Sequence, residues 1–194
     1  MAAATLDHIS QGRFEFGIGR SGLPGSYEGY NIPYSESRDR FFEALEIIKK
    51  AWTEERFSYD GKYFSYEDVC LVPKPYQSPH PPLRMAATTP DSFPVAGRMG
   101  MPLFVGLRVA DMTNFSEQVD SYKQAWLDVG HEGEINVFLR APVYVAEAKD
   151  KALQEPEESF MRQFRLLGDS FAVFVGKAGT PGAAETLRRS QHPT

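Results

Sequence analysis

The sequence predicts an α/β fold with a parallel sheet covered by helices, and three observations carry that reading. The first 19 residues pass from an alanine-rich helix through a glycine stop into an alternating strand. From Leu83 onward, short apolar strands alternate with amphipathic helices, the pattern of βα units. The 194 residues, 42% hydrophobic and 24% charged, suffice for one real core, so a single domain is expected.

Taken in order, Met1–Ile9 is a helix ending at Ser10-Gln11-Gly12, and Arg13–Gly19 alternates as a strand. Arg20–Ser37 is rich in Gly, Pro, Ser and Tyr and long for a connection, which more often marks a functional loop than a spacer. Ser37–Trp52 is an amphipathic helix: Phe41, Phe42, Leu45, Ile48 and Trp52 share a face, leaving Glu43, Glu46, Lys49 and Lys50 for solvent. Asp60-Gly61 is a two-residue turn signal between Arg56–Tyr59 and Lys62–Tyr66, predicting a small projecting hairpin. Pro73–Pro82 cannot be regular, because its prolines lack backbone donors and hold the chain extended. It delivers the strand Leu83–Ala87. Helices then follow at Asp91–Met99, Asn114–Val129 and Pro156–Leu167, with strands at Pro102–Leu107 and Asn136–Ala146. The tail carries one more apolar run, Phe171–Val175, before Gly179-Thr180-Pro181-Gly182.

The formal charge of −5 and pI near 5.4 argue against a general nucleic-acid binder, which needs a basic face. Cys70 is the only cysteine and cannot form an internal disulfide. No apolar run approaches the roughly 20 residues that cross a bilayer, and Met1–Ser10 lacks the pattern of a secretory signal. A cytoplasmic protein without membrane or nucleic-acid partners is therefore expected.

Two phrases could carry chemistry. In Gly17-Ile18-Gly19-Arg20-Ser21-Gly22, the glycines permit close backbone approach and Arg20 offers a permanently charged fork suited to phosphate. In Ala87-Thr88-Thr89-Pro90-Asp91-Ser92, a strand ends and a helix opens, so the hydroxyls of Thr88, Thr89 and Ser92 could converge on the same anion. Alone, the first is more often a plain turn and the second a helix cap. The other polar residues read more simply. His8, His80, His131 and His192 share no ligand spacing with Cys70 or the carboxylates, so no metal is expected. Cys70 reads as packing. Glu28 and Arg38 read as a surface or lid pair, Tyr27, Tyr30 and Tyr34 as loop pins or the lining of a substrate mouth, and Arg108 as a site candidate or a partner of Asp111.

Set in order, Leu6-Asp7-His8-Ile9-Ser10-Gln11-Gly12-Arg13 and Gly17–Gly22 resemble the bacterial luciferase-like flavin monooxygenase family. The likeness continues through Tyr27-Glu28-Gly29-Tyr30, the helix with Arg38, Arg40, Glu43 and Trp52, the Tyr59–Phe64 hairpin and Pro73-Lys74-Pro75, and is strongest over residues 1–146. It implies a (β/α)8 TIM-barrel fold, incomplete here, with about five strand-helix units and a hairpin insertion. Such a barrel normally takes about 250 residues. Family members are longer, so the first three strands, with a histidine that is catalytic in some members, are expected to be absent, and the eighth strand with its following helix to be missing or reduced to Phe171–Leu187.

The resemblance further implies a monooxygenase in which reduced FMN from a separate reductase reacts with O2 to oxygenate a small organic substrate. Gly19, Arg20, Ser21, Thr88, Thr89 and Ser92 would bind the cofactor; no catalytic residue is assigned. Pairing as a homodimer is compatible with the resemblance. Two alternatives stay open: a hydride-transfer dehydrogenase using a deazaflavin coenzyme on the same fold, and a non-catalytic or partner-dependent barrel fragment.

Overall fold

A computed structural model describes residues 1–21, 25–106 and 114–166. Helix α1 (Ala2–Ser10) is followed by strand β1 (Phe16–Ile18), the short helix α2 (Gly25–Glu28), a 3-10 turn (Tyr34–Glu36) and the long helix α3 (Ser37–Thr53). Strands β2 (Phe57–Asp60) and β3 (Ser65–Val69) form a hairpin. Then come β4 (Leu83–Ala87), α4 (Ser92–Arg98), β5 (Leu103–Gly106), α5 (Phe115–Val129), β6 (Val137–Arg140), α6 (Lys149–Gln154) and a helix α7 over 157–166.

The main sheet has the order β1-β4-β5-β6, every neighbouring pair parallel. The spatial order thus follows the chain order, as in a barrel wall; a doubly wound sheet would reverse direction partway. Alternation along the strands sorts the side chains. Leu83, Met85, Ala87, Leu103 and Val105 are buried and meet Leu45 and Trp52 of α3, Phe93 and Ala96 of α4, and Tyr122 and Trp126 of α5 in one core. The register puts Gly17, Arg84, Ala86, Phe104, Gly106, Phe138 and Arg140 on the opposite face, where Phe104 is 43% exposed. On that face the Arg84 side chain reaches across β5, its guanidinium lying 3.7 Å from the ring centroid of Phe138.

The predicted glycine stop of α1 involves two left-handed residues, Gln11 (φ 53) and Gly12 (φ 78), whose N–H groups donate to the carbonyls of His8 and Asp7. Gly12 also meets the Tyr76 ring, and a Cβ there would lie 3.2 Å from its Cδ1. This contact belongs to a clamp. Asp7, fully buried, accepts the Gln77 backbone N–H at 2.9 Å and its side-chain amide at 2.7 Å, and that amide also donates to the Phe14 carbonyl. His8 Nε2 lies 2.8 Å from the Lys74 carbonyl oxygen. The Lys74 ammonium in turn donates to the carbonyls of Ala51 and Glu54 at the end of α3, where the helix dipole favours a cation. The proline segment, with cis bonds at Val72-Pro73 and Ser78-Pro79, therefore ties α1, the start of β1 and the end of α3 together.

Three local expectations are corrected. Glu43 is not left to solvent: its carboxylate accepts the backbone N–H groups of Lys62 and Tyr63 at 3.0 Å and of Phe64 at 3.3 Å. The hairpin consequently turns through Gly61–Phe64, closed by the Gly61 N–H on the Phe64 carbonyl, rather than through Asp60-Gly61 alone. A carboxylate that satisfies three successive donors outweighs the local preference for a two-residue turn. The predicted strand Asn136–Ala146 is paired only over Val137–Arg140, opposite Leu103–Gly106 of β5. Helix α6 was not expected. The predicted ends of other elements agree within a few residues, while Leu107, Arg108, Asp111 and the Phe171–Thr194 tail lie outside the described residues. No described helix is long and apolar enough to cross a membrane.

Two substitutions test these joints. Asp7→Ala strands the part-buried Gln77 N–H and should cost about 1–3 kcal/mol, read as a lower urea midpoint at unchanged m-value; an unaltered midpoint would remove the clamp from the account. Glu43→Ala should speed hydrogen exchange at Lys62, Tyr63 and Phe64 at least tenfold while amides of β4 and β5 keep their protection. Equal acceleration in hairpin and sheet would contradict a local role.

Candidate functional site

Strand β1 pairs with β4 in the register Phe16↔Leu83, Gly17↔Arg84, Ile18↔Met85, so both strands end at the same edge of the sheet. The two phrases singled out in the sequence leave the sheet there, side by side. Gly19 abuts Ala86: a Cβ at Gly19 would sit 3.0 Å from the Ala86 Cβ, so glycine lets the backbone of β1 hug β4 as it exits. Gly19, Arg20 and Ser21 are exposed, as are Thr88 and Thr89 on the neighbouring exit.

Arg20 is exposed but anchored. Its Nη1 donates to the Ser37 hydroxyl at 2.8 Å, and its guanidinium carbon lies 5.4 Å from the Tyr34 ring centroid. The long loop therefore returns to its starting point, with Tyr34 also packed edge-on against Tyr27 at 5.4 Å. Of the three loop tyrosines, Tyr27 and Tyr34 act as pins; Tyr30 is 81% exposed.

The second exit is a preformed turn. Ser92 Oγ accepts the Thr89 N–H at 3.2 Å and donates to the Thr89 carbonyl, and the Ser92 N–H donates to that carbonyl at 2.9 Å. In this state the Ser92 hydroxyl shapes the loop, whereas the hydroxyls of Thr88 and Thr89 make no hydrogen bond among the described residues. Sequence reasoning had given all three hydroxyls one role; the short Thr89–Ser92 spacing was the available signal that Ser92 closes a turn on itself.

Sequence reasoning missed Ser37. A serine opening a helix reads as a cap, yet this one is 2% exposed and holds Arg20. The histidines serve the backbone separately: His8 meets the Lys74 carbonyl, His80 the Pro81 carbonyl and His131 the Arg98 carbonyl, each at 2.8 Å. Cys70 is exposed rather than packed. Among the described residues no three His, Cys, Asp or Glu side chains gather as a metal site.

The sequence pattern of the luciferase-like monooxygenase family matches residues 1–193. The chain belongs to that family. Uncharacterized protein y4wF of Sinorhizobium fredii is 32% identical over 185 residues, which cover 88% of this chain and 50% of that protein. The FMNH2-dependent dimethylsulfone monooxygenase of Pseudomonas putida is 26% identical over 137 residues, covering 69% of this chain and 37% of that enzyme. Among solved structures, the monooxygenase RslO1 from Streptomyces bottropensis superposes with a TM-score of 0.77 at 29% identity, over 86% of this chain and 51% of its own. Other relatives are F420-dependent dehydrogenases. The chain thus spans about half the length of the relatives it matches. Its four-stranded parallel sheet is accordingly part of a luciferase-like barrel wall, the face opposite the core helices being the concave one that a closed barrel turns inward.

On that face, away from the strand exits, Arg84 pairs with Glu15 as well as with the Phe138 ring. The hydrogen bond from Arg84 holds the Glu15 carboxyl below its ordinary value of 4.5, against the opposing effect of desolvation. A carboxyl lowered in the folded state stabilises the fold above its unfolded pKa, and that contribution is lost as pH falls through the lowered native value. Arg84→Met should therefore raise the Glu15 titration midpoint towards 4.5, followed by carboxyl-carbon NMR, and remove this part of the acid sensitivity. An unmoved midpoint would show that the pair does not hold in solution.

Proposed function

We propose that this chain supplies the cofactor-phosphate side of a reduced-flavin monooxygenase that uses FMN and O2 to oxygenate a small organic substrate, the reduced flavin coming from a separate reductase. The observation that supports the reading is the parallel pairing of β1 with β4, from whose adjacent ends the segments carrying the anchored Arg20 and the two threonines leave the sheet. Those donors fit a phosphate: a fixed guanidinium with N–H groups to spare, free hydroxyls, and a glycine exit with no side chain over the backbone. Bound reduced flavin supplies the electrons for O2 activation and oxygen transfer.

The protein's own residues bind and shield. Arg20 neutralises the phosphate, Thr88 and Thr89 donate hydrogen bonds to it, and Gly19 lets it approach the chain. Ser92 keeps the Thr88–Thr89 turn in shape, and Ser21 contributes at the lip of the same exit. The loop from Ser21 to Tyr34 excludes water from the reacting centre, while Phe104 and Phe138 offer an apolar wall on the concave face. Turnover needs the rest of a barrel around this wall.

A second reading is favoured by relatives of the F420-dependent type, one of them 34% identical over 102 residues. In it the same phosphate contacts hold a deazaflavin, and hydride transfer replaces oxygenation. Incorporation of an oxygen atom from labelled O2 into the organic product, with reduced FMN supplied, separates the two, since hydride transfer to a deazaflavin places none there.

The phosphate assignment is tested by titrating FMN and riboflavin into the parent chain and Arg20→Ala. A hydrogen bond to a charged group contributes roughly 1.5–3 kcal/mol, so FMN affinity should fall about ten- to hundredfold with riboflavin little changed. Unchanged FMN affinity would remove Arg20 from the site.

A further inference from the structure

We propose that Ser37 is the positioning residue for Arg20, holding its guanidinium in the orientation that meets the cofactor phosphate; this rests on the phosphate reading above. Ser37 is the first residue of α3, directly after Glu36 at the capping position, and no side chain caps the helix. Its hydroxyl oxygen accepts the Arg20 Nη1–H at 2.8 Å. The group is 2% exposed, so water does not compete freely for that oxygen.

An arginine at a strand exit would otherwise lose much side-chain freedom on meeting an anion. Ser37 and the Tyr34 ring restrict that freedom beforehand. One of the five guanidinium N–H groups is used on the serine, which leaves the others for oxygen ligands.

The serine is itself on a rigid mount. Leu45 and Trp52 bury α3 against the sheet, Lys74 caps its far end, and Glu43 and Arg40 dock the hairpin on its near half, the Arg40 guanidinium lying 4.5 Å from the Tyr63 ring centroid. A site residue gains most from such support when it stands in a loop, as Arg20 does. The hairpin is thus seated on the same helix that carries Ser37.

The test compares FMN and riboflavin binding to the full chain carrying Ser37→Ala, Ser37→Thr or Arg20→Ala. Ser37→Ala should weaken FMN about five- to tenfold with riboflavin unchanged, and Ser37→Thr, which keeps the hydroxyl, should restore most of the FMN affinity. If Ser37→Ala leaves FMN affinity intact while Arg20→Ala lowers it, the positioning role is wrong and the phosphate reading stands. Equal loss of FMN and riboflavin in Ser37→Ala would mark a general structural role and overturn the proposal. If neither variant changes FMN affinity, the phosphate reading falls as well.

Discussion

The site depends on one joint, the parallel pairing of β1 with β4. It is short, three residue pairs, and parallel pairs are slightly weaker per residue than antiparallel ones. Its register cannot rest on ladder hydrogen bonds alone. At the N-terminal ends of the two strands, the buried Asp7 carboxylate grips Gln77, the Gln77 amide reaches Phe14, and the Phe16 N–H donates to the Pro82 carbonyl at 2.8 Å. These contacts fix where β4 starts relative to β1. A slip of one residue would put Arg84 into the core and Met85 on the concave face. The clamp at one end of the strands therefore determines which residues meet at the other.

This division of labour gives the family phrases a physical meaning. Leu6–Arg13 is a structural phrase: Asp7 binds Gln77, Ser10 donates to the Asp7 carbonyl, Gly12 turns against Tyr76, and Arg13 donates back to the Ser10 carbonyl. Arg40 and Glu43 in α3 are structural as well, seating the hairpin. Of the phrases singled out, Gly17–Ser21 and Thr88–Ser92 stand at strand exits, the end of a parallel sheet where barrels of this kind bind ligands. The one-sided cover of the sheet fits the same picture. All helices in the core lie on the face of Leu83, Met85 and Leu103, while Arg84, Phe104 and Phe138 line the concave side that a barrel encloses.

Much of this was legible in the sequence, for reasons that particular residues make plain. Leu83–Ala87 and Ser37–Trp52 were recognisable because their periods of two and of three to four match one-sided burial. The two strand exits were recognisable because glycine and threonine clusters interrupt those periods. Glu43 and Ser37 were not legible. Each looks like an ordinary solvent-facing or capping residue, and each gains its role from a partner at least 17 residues away, a distance that local periodicity does not sense. Ser92 carries a further role that its residue type did not reveal: its hydroxyl meets a donor and an acceptor of Thr89, three residues back. The length of β6 depended on a neighbouring strand, which local sequence also cannot report.

The central claim is that two exits brought together by β1–β4 pairing form a single phosphate site. Amide chemical-shift mapping on the full chain tests it most directly, with FMN, riboflavin and inorganic phosphate added separately. The account predicts that FMN and phosphate both shift Gly19, Arg20 and Ser21 together with Thr88 and Thr89, with common saturation, and that riboflavin leaves those amides in place. Shifts confined to one exit, or elsewhere on the sheet, would contradict it.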